Sequence, residues 1–245
     1  MARRRSLSQR LQRGVTLTAV CLAVATPTRL VAQQPVEDVF VSGPRPLAAA
    51  IKSFAKRCRC AISYEDVKWG REQVEESATL FSRVDGTPAL IPRGTPFTFT
   101  VPRDLSQMSA ADIAQSLSVV LGQFESSQNP GQFKIVQGPT SLHVLPAHSA
   151  ILEQRIGLAV DDTPAVVALQ AVLRELGRVS GEEISTSSIP LNLLMQRRVS
   201  LTASDEPAYH VLSRLLQAAD RRLSLQLVFE VTAKRYFLSV YSTHQ

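Results

Sequence analysis

The chain holds 245 residues, 44% hydrophobic and 20% charged, a composition of one or two folded domains that excludes a disordered or fibrous chain. No apolar run approaches the roughly 20 residues that span a bilayer, which excludes a polytopic membrane protein. The formal charge of +6 does not argue for nucleic acid. Six of the 27 basic residues (Arg3, Arg4, Arg5, Arg10, Arg13, Arg29) fall within residues 1–32, which hold no acid, so the remainder carries 21 basic against 21 acidic residues.

Those first residues have the three-part layout of a secretory signal: basic Met1–Gly14, the eleven-residue apolar run Val15–Ala25, and Leu30-Val31-Ala32 ending in a small residue. Eleven helical residues cover about 17 Å, too short for a hydrocarbon core of about 30 Å. Residues 1–32 are therefore expected to be a signal peptide cleaved near Ala32, with Ala25 the alternative. The product would be periplasmic or extracellular. Arg4-Arg5 leaves a twin-arginine route open beside the general one. After cleavage only Cys58 and Cys60 remain, in an oxidising compartment. An extended i, i+2 pair is near the upper Cα limit of a disulfide, so a bridge there needs a local bend. Buried or simply bridged structural cysteines, an intermolecular bridge and a reactive thiol all stay open.

Along the mature chain, strand-like runs alternate with four helical periodicities. Val39–Val41 precedes a helix in which Leu47, Ile51, Phe54 and Cys58 share one face, with Pro46 at its start, and Ala61–Tyr64 follows. Phe97–Val101 leads to a helix capped by Ser109 and Asp112, with Ile113, Leu117, Val120, Leu121 and Phe124 as its stripe. Phe133–Gln137 and Ser141–Leu145 form a hairpin across Gly138-Pro139. The order then recurs. Arg155–Val160 leads to a helix opening at Thr163-Pro164 and carrying Leu169, Val172, Leu173 and Leu176, and Glu183–Thr186 follows. Val199–Ala203 leads to a helix opening at Ser204-Asp205 and carrying Val211, Leu212, Leu215 and Leu216. Leu223, Leu225, Leu227 and Phe229 alternate, and Tyr236–Tyr241 closes a hairpin.

Pro46, Ala50 and Ile51 match Pro164, Ala168 and Leu169 at a constant offset of 118. The expected fold class is α+β, two tandem small lobes (33–150 and 151–245), each strand-helix-strand, strand-helix-strand-strand. The first lobe has an insertion at about 65–96, with Trp69 and the acids Glu72, Glu75 and Glu76. It reads either as a functional loop or as a β-extension padding one sheet.

The phrase Pro46-Leu47-Ala48-Ala49-Ala50-Ile51-Lys52-Ser53-Phe54, followed by Ala61-Ile62-Ser63-Tyr64-Glu65-Asp66, resembles the short N-terminal domain of secretins and TonB-dependent receptors. Val199–Leu216 looks like the second strand–helix unit of that domain. The chain departs from the family pattern in lacking a helix-end glycine near Cys58 and in carrying the insertion. The resemblance implies a periplasmic α+β module that works by contact with other macromolecules.

Chemistry finds little support. His143, His148, His210 and His244 have no zinc-site spacing, and no nucleophile elbow, phosphate loop or His-Glu-x-x-His occurs. No cofactor and no metal is expected. Asp161-Asp162 reads as helix-start charge, and Glu182-Glu183 as solvated acid. Arg197-Arg198 and Arg221-Arg222 lack the interleaved aromatics of a nucleic-acid face. The expected function is an exported, non-enzymatic envelope module binding a protein or cell-wall polymer, with Tyr64, Trp69 and Phe81 as aromatic anchors. The alternative is an exported hydrolase of cell-wall or carbohydrate substrates, with carboxylates assembled from both halves.

Overall fold

Residues 35–77 and 88–243 are described by the computed structural model, so the expected signal peptide and Phe81 lie outside the described residues. Strand β1 (Val36–Val41) leads to helix α1 (Pro46–Cys58), whose Pro46 fills the first turn, where a missing N–H costs nothing. Leu47, Ile51, Phe54 and Cys58 are all buried, the single face their spacing implies. In place of a terminal glycine, Arg59 turns left-handed at φ 53°. That turn is the bend a Cys58–Cys60 disulfide needs, and the bridge is present with its Cα atoms 5.2 Å apart.

Strand β2 (Ile62–Glu65) follows. The long connection then folds as a short 3-10 turn (Arg71–Gln73) and an antiparallel ribbon of its own, β3 (Val74–Ser77) with β4 (Ala89–Pro92). Among the described residues this ribbon pairs with no other sheet. β5 (Phe97–Pro102) pairs antiparallel with β1, and α2 (Ala110–Ser126) starts where Ser109 Oγ accepts the Asp112 N–H at 3.2 Å. The hairpin of β6 (Phe133–Gln137) and β7 (Leu142–Pro146) ends this half.

The second half runs β8 (Arg155–Pro164), α3 (Ala165–Ser180), β9 (Ile184–Thr186), α4 (Leu191–Gln196), β10 (Arg198–Pro207), α5 (Ala208–Ala219), β11 (Leu223–Glu230) and β12 (Arg235–Ser242). Two expected helix starts shift. β8 and β10 pair antiparallel all the way to Pro164 and Pro207, so Asp161-Asp162 and Ser204-Asp205 belong to strands. Asp162 (φ 38°) and Asp205 (φ 55°) adopt left-handed backbone beside breaks in register, which lets the ladder resume beyond them. Arg198 Nε lies 2.7 Å from Asp162 Oδ1, and Arg155 Nε 2.9 Å from Asp205 Oδ2, so these acids are ion-paired. Helix α4 was not foreseen: six residues with only Leu194 buried show no readable period.

One six-stranded sheet runs through both halves in the order β6-β7-β2-β11-β12-β9. Its centre is a parallel pairing of β2 with β11, Tyr64 opposite Gln226 and Glu65 opposite Leu227. Residues directly opposite share a face. Tyr64 belongs to a core built with Leu47, Ile51, Phe54, Leu117 and Phe124 of α1 and α2. Leu227 belongs to a second core with Leu169, Leu173, Leu212 and Leu216 of α3 and α5. The first-half helices therefore cover one face of the sheet and the second-half helices the other. No helix among the described residues is long and apolar enough to cross a membrane.

Candidate functional site

Strand β2 is a fully buried strand at the middle of a sheet, with Glu65 as its last residue and Asp66 directly after it. Because Glu65 and Asp66 are each only 1% exposed, both carboxyls must find donors inside the protein. Asp66 faces the α1 side of the sheet. Its Oδ1 accepts the Tyr64 hydroxyl at 2.8 Å and the Val67 N–H at 3.1 Å. Its Oδ2 accepts Trp69 Nε1 and Arg45 Nε, both at 2.9 Å. Arg45 continues the chain by donating from Nη2 to the Phe229 carbonyl at 2.7 Å, which ties the α1 entry to β11. Burial pushes the Asp66 carboxyl upward, against Arg45 and the Trp69 and Tyr64 hydrogen bonds, which pull it down.

Glu65 projects to the opposite face. The N–H groups of Ile151 and Leu152 donate to Oε1 and Oε2 at 2.6 and 2.8 Å, so the side chain caps the 3-10 turn Ile151–Glu153. Burial raises its pKa to about 7 despite those two donors. This clamp fastens the sheet centre to the connection between the halves.

Beside these acids lies an open pocket of about 500 Å³, lined among others by Glu65, Asp66, Lys68, His148, Glu182 and Tyr236. Glu182 pairs with Lys68, and Glu183 with Arg235. Four accepted hydrogen bonds at Asp66 and two at Glu65 commit these oxygens to the protein itself. Neither carboxyl is left with an oxygen dedicated to a substrate. Among the described residues no group of three or more His, Cys, Asp or Glu could hold a metal. His143 is fully buried on the α5 side, its Nε2 3.1 Å from Ser141 Oγ and its ring centre 4.6 Å from that of Tyr209. Its Nδ1 has no partner among the described residues, which is not the geometry of an oriented general base.

The structure brings Tyr64 and Trp69 together, but in the interior: they are 1% and 5% exposed, with their polar tips on Asp66. As free aromatic anchors they are corrected to buried struts, because a Tyr or Trp beside a buried carboxylate satisfies both itself and the acid. Trp69→Ala is expected to lose about 3–5 kcal/mol of stability in urea unfolding; unchanged stability with loss of partner capture would restore it as an anchor. Sequence reasoning passed over Arg45, Glu65 and Asp66. The sequence shows only two adjacent acids at the end of a strand-like run, a pattern that does not report their burial.

None of the family models, curated proteins or solved structures compared with this chain matches it.

Proposed function

We propose that this chain is an exported, non-enzymatic cell-envelope module, two tandem copies of a domain resembling the short N-terminal domain of secretins and TonB-dependent receptors, which binds a protein partner or cell-wall polymer. The repeated element order supports the duplication, as does the recurrence of Ile-Ser at the start of β2 (Ile62-Ser63) and β9 (Ile184-Ser185). The observation that carries the binding reading is that the six-stranded sheet ends in β6 and β9, each unpaired on its outer side among the described residues. Backbone donors and acceptors on such an edge accept an added strand. The buried acids Glu65 and Asp66 accept from Arg45, Trp69, Tyr64 and backbone N–H groups, which supports a structural use for them.

Cross-linking with mass spectrometry on the intact envelope of cells producing the full chain tests this reading. The expected result is a recurrent cross-link from Lys134, on β6, to an envelope protein or wall peptide. Cross-links confined within one molecule, distinguished from those between two copies by mixing light- and heavy-isotope chains, would overturn it.

A further inference from the structure

The sheet contains a worked example of its own extension. β2 follows α1 as β9 follows α3, and β6 and β11 each open a closing hairpin. The equivalence extends to the first ladder bond: the Leu142 N–H donates to the Ala61 carbonyl beside β2, and the Tyr236 N–H to the Glu183 carbonyl beside β9. Each half therefore presents the same three strands in the same lateral order, β6-β7-β2 and then β11-β12-β9. β2 is parallel to β7, as β9 is to β12, and both hairpins are antiparallel. Because β2 and β11 are parallel, the second set runs opposite to the first, and its helices lie on the opposite face. The operation relating the halves is a half-turn about the axis crossing the strands, with a shift along that axis.

That operation does not close. After the β2–β11 junction the chain leaves β9, the counterpart of β2, at one end and β6, the counterpart of β11, at the other. We infer that β9 of one copy takes β6 of a second copy of this chain, in a parallel head-to-tail junction of the kind already seen between β2 and β11. This deepens the binding reading by naming the occupant of the open edges, and it rests on that reading.

The register follows from the ladders. Tyr64 lies opposite Val144, and Val144 opposite Ile135. Thr186 lies opposite Leu238, and Leu238 opposite Leu227. Ile135 thus holds the place of Leu227, and Lys134 that of Gln226. Lys134 of the second copy comes opposite Thr186, and Ile135 opposite Ser187.

The edges are suited to this. Glu183 and Ser187 spend backbone groups on β12, so by alternation those of Ile184 and Thr186 point to the open side. β9 carries no charge or proline, so the guards against edge pairing come down to its shortness and to Lys134 on β6. A heterologous contact of this kind builds an open series rather than a closed dimer.

Sedimentation velocity of the purified full chain, loaded from about 1 to about 300 μM to cover weak interfaces, is expected to show stepwise growth beyond the monomer. Thr186→Pro removes only an outward N–H from an edge strand, a position that tolerates proline. It is expected to weaken association at least about tenfold, with circular dichroism and melting unchanged. Added to native chain, this variant still offers β6, so it should cap the series and shorten it. Thr186→Cys and Lys134→Cys chains, mixed and treated with a short bis-thiol reagent, should cross-link in the mixed pair above the native background. A native chain that stays monomeric, or a Thr186–Thr186 cross-link in place of the mixed one, overturns the inference. Envelope cross-links from a strictly monomeric chain would overturn it too, while leaving the binding reading standing.

Discussion

Asp66→Ala is expected to cost about 3–5 kcal/mol of folding free energy, the range for breaking a buried ionic network from one side. Four hydrogen bonds end on this carboxylate, and three come from side chains that cannot easily turn elsewhere: Arg45, Trp69 and Tyr64. Removing it leaves the Trp69 N–H and Tyr64 O–H in the interior without acceptors, each a penalty of about 1–3 kcal/mol. The remaining loss comes from Arg45, which keeps the Phe229 carbonyl and a 3.7 Å approach to Glu230. Urea unfolding measures the total. The cycle with Arg45→Ala separates the parts, and a coupling of about 1–3 kcal/mol is expected between the two positions. A loss below about 1 kcal/mol would mean that water readily replaces the carboxylate, and the description of this cluster as a structural knot would be wrong.

The network shows why part of this fold could be read from the chain and part could not. Leu223, Leu225 and Leu227 alternate, and all three are buried on one face, because a strand's period of two assigns faces directly. Pro46 and Ser109 mark helix starts because their effects are local, a missing donor in one case and a capping oxygen in the other. Neighbours in a sheet are another matter. Alternation says that Tyr64 and Glu65 face opposite ways, but not that β11, some 160 residues on, lies beside them (the Ile62 N–H reaches Ser224 Oγ across a separation of 162). The buried acids were illegible for the same reason. Glu65 is tolerable inside only because two N–H groups 86 and 87 residues away meet it. Tyr64 sits beside the insertion and Trp69 within it, and both carry polar tips, which is also how exposed anchors look. What distinguishes the two cases is Asp66, a residue whose burial no local pattern reports.

Glu65 and His143 are expected to impose opposite pH dependences on stability, each of about 3 kcal/mol. Both face the α3–α5 side of the sheet, Glu65 at the centre and His143 on β7 beside it, with Ser63 opposite His143. Burial raises Glu65 from 4.5 to about 7, so between those values the folded chain holds a proton that the unfolded chain has released. Stability from this group is complete below about 4.5 and is lost as pH rises through 7. For His143, burial first and the nearby His210 second lower the pKa from 6.5 to about 4, so there the unfolded chain holds the extra proton. Its contribution is complete above about 6.5 and is lost as pH falls through 4. Each shift spans about 2.5 units, and at about 1.4 kcal/mol per unit that gives the stated magnitude. Asp66, also raised, acts in the sense of Glu65. In the native chain these slopes oppose one another, so the signature appears in difference profiles from urea unfolding. Glu65→Gln minus native is expected to climb by about 3 kcal/mol from pH 4.5 to 7. His143→Gln minus native is expected to fall by a similar amount from pH 4 to 6.5. Profiles running parallel to the native one would show that water reaches these groups and that neither is held in the unusual state its burial dictates. The cause of the Glu65 slope is the desolvation of its charge, which costs stability above neutrality at the strand pair on which the whole sheet is built, although the Ile151 and Leu152 N–H groups favour the carboxylate.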